Sequence, residues 1–247
     1  MLVQAAAHAP VHSPRQVMQA LLERAASRPQ RSWVALDLDG TLFDNRPRTL
    51  AILRAFALSH RESIPELLPL IDRTSLDDLH YSPGQAVAAL GLPHTQLADD
   101  FVKFWRDRFF TNAFQALDHV EKGAVEFAQR LVDAGLGIVY LTGRDRPGMM
   151  QGTLHSLDSH GFPLMSPLTQ VVLKPDFAAP DVAFKRTAIA ELLRNGPMVG
   201  LFDNEPGICN MALDAAPGIL SVRMLRAFAP DPPPLDARVV QIETFQL

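Results

Sequence analysis

Asp37 and Asp39 stand two residues apart, directly after the apolar run Trp33-Val34-Ala35-Leu36. If an extended backbone persists, both carboxylates face one side, and like charges that close are costly unless a cation lies between them or one is protonated. A third acid, Asp203, follows the apolar run Met198-Val199-Gly200-Leu201-Phe202, and Thr142 follows another over residues 136–141. Three acids with ordered water suit Mg²⁺, a hard octahedral ion that takes few carboxylates and keeps several waters. One such Asp is ordinarily a turn former or helix cap. Three polar clusters, each closing an apolar run, are not explained that way.

Residues this far apart in sequence need a scaffold that gathers them. Short runs apolar on both faces suit parallel strands covered by helices on each side. Strands are expected over 33–36, 136–141, 171–173, 198–202, 219–224 and 239–242. Ser13-Pro14 caps a first helix, and further helices are expected over 122–134, stopped by Gly135, then 149–160 and 185–194. This alternation predicts an α/β fold, a doubly wound parallel sheet whose strand carboxyl ends line one ligand-binding edge. Between 45 and 117 the pattern turns helical with no obvious strand, so 1–44 and 118–247 read as the core and 45–117 as an inserted α-helical cap. Within that insert Phe101, Phe104, Trp105 and Phe109 fall at helical spacing, which reads first as packing rather than as an aromatic substrate box.

Over 247 residues the composition is 47% hydrophobic and 20% charged, ordinary for a globular protein that needs neither disulfide nor structural metal to fold. A net charge of −4 gives no electrostatic case for nucleic acid or an anionic membrane. No segment has the apolar length to cross a bilayer, and the N-terminus lacks a signal-peptide pattern. A cytoplasmic protein is expected, in keeping with the lone Cys209, which reads as a buried small residue. His155 and His160 lie on an expected surface helix without metal-ligand spacing, and PDPPPLD reads as a stiff surface connection.

Asp37-Leu38-Asp39-Gly40-Thr41, Thr142 in IVYLTGR and Asp203 in GLFDNE resemble the first, second and fourth motifs of the haloacid dehalogenase-like hydrolases. The resemblance spans about residues 33–44 and 118–225. It implies a Mg²⁺-dependent phosphatase acting on a small phosphomonoester, with Asp37 as covalent nucleophile and Asp39 as acid and then base. It further implies Asp37, Asp203 and the main-chain carbonyl of Asp39 as metal ligands, and Thr142 as a phosphoryl hydrogen-bond donor. A lysine would offset the charge developing in transfer. Asp39 argues against a dehalogenase, since family members that cleave carbon–halogen bonds usually lack that acid.

Several points stay open at this stage. Arg144, after Thr142-Gly143, either contacts a phosphate or leaving group or forms a structural salt bridge. Asn204 stands where the family often has a second acid, and Glu205 either substitutes through water or caps the next helix. Asp44 and Asn45 fall at the family's hinge or form a turn. Two lysines compete: Lys174 sits in a KP pair, but Lys185 begins the helix feeding the Asp203 strand and is the favoured phosphate contact. A phosphomutase shares these motifs. The run from TGR through VVLKPD and PDVAFK to DNE also resembles polynucleotide 3′-phosphatase domains, against which the acidic charge counts. A non-catalytic binding module would be expected to lack Asp37 or Asp39.

Overall fold

The computed structural model describes residues 11–79, 82–89 and 95–247; the first ten residues, on which part of the signal-peptide expectation rests, lie outside them. The chain opens with helix α1 (Pro14–Ala26), strand β1 (Trp33–Leu36) and the short strand β2 (Phe43–Asp44). Helices α2 (Arg46–Ser59), α3 (Leu67–Ile71), α4 (Pro83–Ala89) and α5 (Thr95–Phe109) follow, then strand β3 (His119–Val120). From there strands and helices alternate: α6 (Ala124–Asp133), β4 (Gly137–Asp145), α7 (Arg146–Ser159), β5 (Thr169–Lys174), α8 (Asp181–Leu192), β6 (Met198–Asp203) and α9 (Pro206–Ala215). Strands β7 (Leu220–Met224) and β8 (Val240–Ile242) complete the main sheet.

The sheet runs β5-β4-β1-β6-β7-β8 with every neighbouring pair parallel. The chain moves outward from β1 through β4 and β5, then returns to lay β6, β7 and β8 on the other side. Strand β1 is therefore central, and the ligand crevice belongs at its carboxyl end. Alternation along β1 feeds two cores. Val34 and Leu36 pack with Leu21 of α1 and Phe127 and Leu131 of α6. Trp33 and Ala35 pack with Ile189 and Leu192 of α8 and Met211 and Ala212 of α9. The Trp33 ring lies so close to Gly137 that a Cβ there would stand 2.3 Å from it, which demands glycine opposite the indole.

Helices α2 to α5 build a third core of their own from Ile52, Leu53, Phe56, Leu67, Ile71 and Phe101. Among the described residues no strand interrupts 46–109. Both chain crossings into this helical unit are joined by a two-stranded antiparallel ribbon pairing Phe43 with Val120 and Asp44 with His119. Asn45 is the N-cap residue of α2 without a side-chain cap, and Asp44 instead accepts from the Arg46 guanidinium at 2.9 Å.

Several expected boundaries move, α7 starting at Arg146 rather than at 149 and β5 covering Thr169–Lys174 rather than 171–173, and two of the shifts bear on the site. Strand β4 runs through Thr142, Gly143 and Arg144 to Asp145, because its pairing with β5 continues past Tyr140, where the β1 side ends, to Thr142 with Leu173 and, after a register shift, Asp145 with Lys174. Helix α8 begins at Asp181 rather than at Lys185, since Pro180 supplies the N-cap and nothing in DVAF opposes helix. Ser13 caps α1 in a full capping box with Gln16. The 230–236 connection is mostly exposed and links β7 to β8. Among the described residues no helix is long and apolar enough to cross a membrane.

Candidate active site

Strand β1 stops at Leu36, and a tight loop follows. The Leu38 carbonyl accepts from the backbone N–H groups of Thr41, Leu42 and Phe43, at 3.1, 2.9 and 2.9 Å. Gly40 supplies the left-handed turn (φ 75°). The strand condition for Asp37 and Asp39 sharing one side is not met, since β1 ends at Leu36, yet both acids line one cavity and take different partners.

Asp37 turns to a lysine. Lys185 Nζ donates to Asp37 Oδ1 and to Asp203 Oδ2, both at 2.7 Å, joining the ends of β1 and β6 to the second turn of α8. All three side chains are buried. The Thr41 hydroxyl donates to the other Asp37 oxygen at 3.3 Å, and the Glu205 N–H donates to the free Asp203 oxygen at 2.9 Å. Burial pushes the Asp37 carboxyl up while Lys185 pulls it down; Asp203 and Asp39 add to the rise, to about 7. Burial also works against the Lys185 charge, but Asp203 and Asp37 outweigh it and hold the ammonium well above its ordinary pKa.

Asp39 turns to two arginines. Arg144 Nε and Nη2 bind it in a bidentate pair at 2.8 Å each, and Arg48 Nη2 reaches Asp39 Oδ1 at 2.9 Å. Asp118 takes the remaining donors: Arg48 Nε at 2.8 Å, Arg144 Nη2 at 2.9 Å, and a short contact with Arg48 Nη2. Gln115 Oε1 accepts from Arg144 Nη1 at 2.8 Å and from the Thr153 hydroxyl at 3.0 Å. Arg48, Arg144 and Asp118 have essentially no exposed side chain. Burial alone would raise the Asp39 pKa, but Arg144 and Arg48 dominate and hold it well below the carboxylate range. Burial dominates for Asp118, whose pKa is raised in spite of Arg48 and Arg144. Sequence reasoning missed Arg48, Asp118, Gln115 and Thr153. The one available signal was Arg48 on the first turn of a helix eleven residues after Asp37, which reads as a solvated charge.

The other expected residues divide. Thr142 is fully buried and its hydroxyl accepts from the Arg144 N–H at 3.2 Å. Gly143 lines the cavity described below. Lys174 bonds away from Asp37, to Asp181 at 2.8 Å and to the carbonyls of Phe177 and Ala179. Asn204 donates to the Ala227 carbonyl and packs against Gly40. Glu205 occupies the N-cap position of α9 but does not cap it with its side chain, which accepts from the Ala229 N–H at 3.0 Å. Cys209 is buried, and burial pushes its thiol up. His155 is exposed, while His160 is half-buried with Nδ1 2.7 Å from the Ser156 carbonyl.

These groups open on one cavity of about 960 Å³ between the sheet edge and the helical unit. Asp37, Asp39, Lys185 and Asp203 lie on its wall together with Trp105 and Phe109. The packing reading of the aromatics holds for Phe101 and Phe109, both buried in the helical core, and for Phe104 and Trp105, which pack against it; Trp105 and Phe109 line the cavity as well. Among the described residues no group of three or more His, Cys, Asp or Glu side chains is arranged to hold a metal. The Asp39 carboxylate is taken by the two arginines, which leaves its main-chain carbonyl, the group expected at the metal, untouched by them. Asp37 and Asp203 remain, two carboxylates against one ammonium, and that excess negative charge with few carboxylate donors fits a Mg²⁺ that keeps water ligands.

No family model and no curated protein matches the chain. Solved structures do. A HAD-superfamily hydrolase of subfamily IA from Geobacter sulfurreducens superimposes with a TM-score of 0.53 at 17% identity, covering 87% of this chain and 93% of that one. CbbY from Rhodobacter sphaeroides, in complex with phosphate, gives 0.50 at 15% identity over 88% and 96%. Protein Tyrosine Kinase A from Mycobacterium tuberculosis gives 0.55 at 16% over 88% and 95%. At such identities the likeness is one of fold, and the fold this chain adopts is that of the haloacid dehalogenase-like hydrolases.

Proposed function

We propose that the protein is a Mg²⁺-dependent phosphomonoester hydrolase that works through an aspartyl-phosphate on Asp37. The observation that carries this reading is Lys185 held 2.7 Å from both Asp37 and Asp203 at the carboxyl edge of the sheet. A buried carboxylate facing an open cavity, with an ammonium beside it, has the parts a phosphoryl acceptor requires.

Asp37 and Asp203, with the Asp39 carbonyl, would hold Mg²⁺, which when bound neutralises phosphate charge and lets the dianion approach. Asp37 attacks phosphorus through the carboxylate oxygen not taken by Lys185, while Lys185 stabilises the charge gathering on the transferring group. Asp39, paired with Arg144 and Arg48, is poised as a carboxylate, the form that accepts a proton from the water that later cleaves the acyl phosphate. Protonating the leaving oxygen first requires an arginine to turn away from Asp39. Arg144 and Thr142 support the site by positioning: Arg144 holds Asp39, and Thr142 holds the Arg144 backbone. Helices α2 to α5, set on the β2–β3 ribbon, act as a cap that shields the reacting centre from bulk water.

The test is release of inorganic phosphate from p-nitrophenyl phosphate in Mg²⁺, lost in chelator and restored by added Mg²⁺. Full turnover in excess chelator overturns the reading. Release of phosphate also separates a hydrolase from a phosphomutase, which returns the group to its substrate.

A further inference from the structure

We propose that the leaving group of the substrate carries a planar aromatic ring, bound by an aromatic wall on the cap side of the cavity. This deepens the phosphomonoester-hydrolase reading above and rests on it. Trp105, Phe109 and Phe110, at the end of α5, line the cavity together with Phe177 from the β5–α8 connection. Trp105 and Phe109 stack, with ring centroids 4.2 Å apart and planes inclined by 26°. Phe110 meets Trp105, Phe109 and Phe177 edge-on, at 5.5, 5.1 and 4.8 Å. These rings form one continuous surface contributed by two separate segments of the chain, and Phe177 remains 42% exposed.

The wall sits close to the reacting groups. The Arg48 guanidinium lies over the Phe109 ring, 4.2 Å from its centroid, and donates through Nη2 to Asp39 at 2.9 Å, so a single guanidinium separates ring and acid. Asp37 lines the same cavity as these rings, so the ester substituent of a phosphoryl group held at Asp37 has them within that cavity to pack against. The wall is also chemically selective. The Trp105 N–H is already given to the Thr49 hydroxyl at 3.2 Å, and the three phenylalanines have no polar atoms. A polyol laid against it would lose water from its hydroxyls without gaining partners. A planar ring loses nothing and gains stacked or edge-on contacts. The ring could belong to a simple aryl ester or to a nucleobase; the shared requirement is a flat, aromatic surface.

The test compares benzyl phosphate with cyclohexylmethyl phosphate, which share the phosphate and the methylene link and differ in ring character. The aromatic ester is expected to have a kcat/KM about tenfold higher. A hexose 6-phosphate should fall below both. A nucleoside 5′-monophosphate distinguishes the source: preference over benzyl phosphate assigns a nucleobase, and the reverse assigns a simple aryl group. The Phe177→Ala chain, altered only at an exposed connection, and Trp105→Leu should each lower the benzyl-to-cyclohexylmethyl ratio by about threefold or more. Equal kcat/KM for the matched pair, preference for the hexose phosphate, or ratios unmoved in both variants would overturn the proposal. Calorimetry with benzylphosphonate and cyclohexylmethylphosphonate reads the same preference without turnover. If no ester is hydrolysed, the hydrolase reading falls, and an aromatic preference in phosphonate affinity still supports the wall while equal affinities sink it.

Discussion

Lys185 answers for two carboxylates at once, so its loss leaves both Asp37 and Asp203 buried without a counter-charge. Lys185→Ala is expected to lower kcat by about 10²–10³-fold. Lys174→Ala, which frees only the half-exposed Asp181 and two loop carbonyls, should cost less than about tenfold. Steady-state kinetics at saturating Mg²⁺ compare the two; a severe loss for Lys174→Ala alone assigns the role to the other lysine. Asp37→Asn should abolish turnover and phosphoenzyme labelling, whereas Asp39→Asn should retain the label and slow turnover by about 10²–10⁴-fold. A different experiment addresses Asp118, whose side chain is fully buried between two guanidiniums. Asp118→Asn leaves them undercompensated and should destabilise the fold by about 3–5 kcal/mol, measured by urea unfolding. Asp37, Asp203 and the lysine pair were legible because each lies at the end of an apolar run or beside one. Arg48 and Asp118 were not, because a charged residue near a helix start or strand end looks the same in sequence whether solvent or another side chain satisfies it.

The elements were legible wherever periodicity had room to show. Strands β1 and β6 and helix α6 stand within two residues of their expected bounds, since continuous apolar runs and a glycine stop leave few alternatives. The β2–β3 ribbon escaped notice, because two-residue strands carry no period and their partner lies across the whole helical insert. The extension of β4 through TGRD was hidden for a related reason: polar residues suggested a loop, while continued pairing with β5 kept them extended. The loop after β1 is constrained at its glycine. Gly40 combines φ 75° with a site where a Cβ would sit 2.8 Å from the Asn204 side chain. Gly40→Ala should therefore cost about 1–2 kcal/mol through backbone strain, with the Asn204 contact adding to it. Differential scanning calorimetry would detect a fall in Tm of about 2–8 °C, and an unchanged Tm would show that the loop relaxes.

At the scale of the whole molecule, a cation bound only by the folded arrangement of Asp37 and Asp203 must stabilise that arrangement. At a hundredfold excess over its Kd, Mg²⁺ should add about 2.7 kcal/mol to the unfolding free energy. The gain should be absent in Asp203→Asn, and an equal Mg²⁺-induced rise in Tm for both chains would place the ion elsewhere. The central position of β1 has a further consequence, for the order in which the molecule is made. Its neighbours β4 and β6 are both synthesised later, and the Lys185–Asp37 contact spans 148 positions. At roughly 5–20 residues per second, the ribosome delivers β6 on the order of ten seconds or more after β1. Helices α2 to α5, with their own core, emerge complete in that interval. The nascent chain thus carries the helical unit beside an unpaired strand, and Asp37 stays without Lys185 or Asp203 until β6 has emerged.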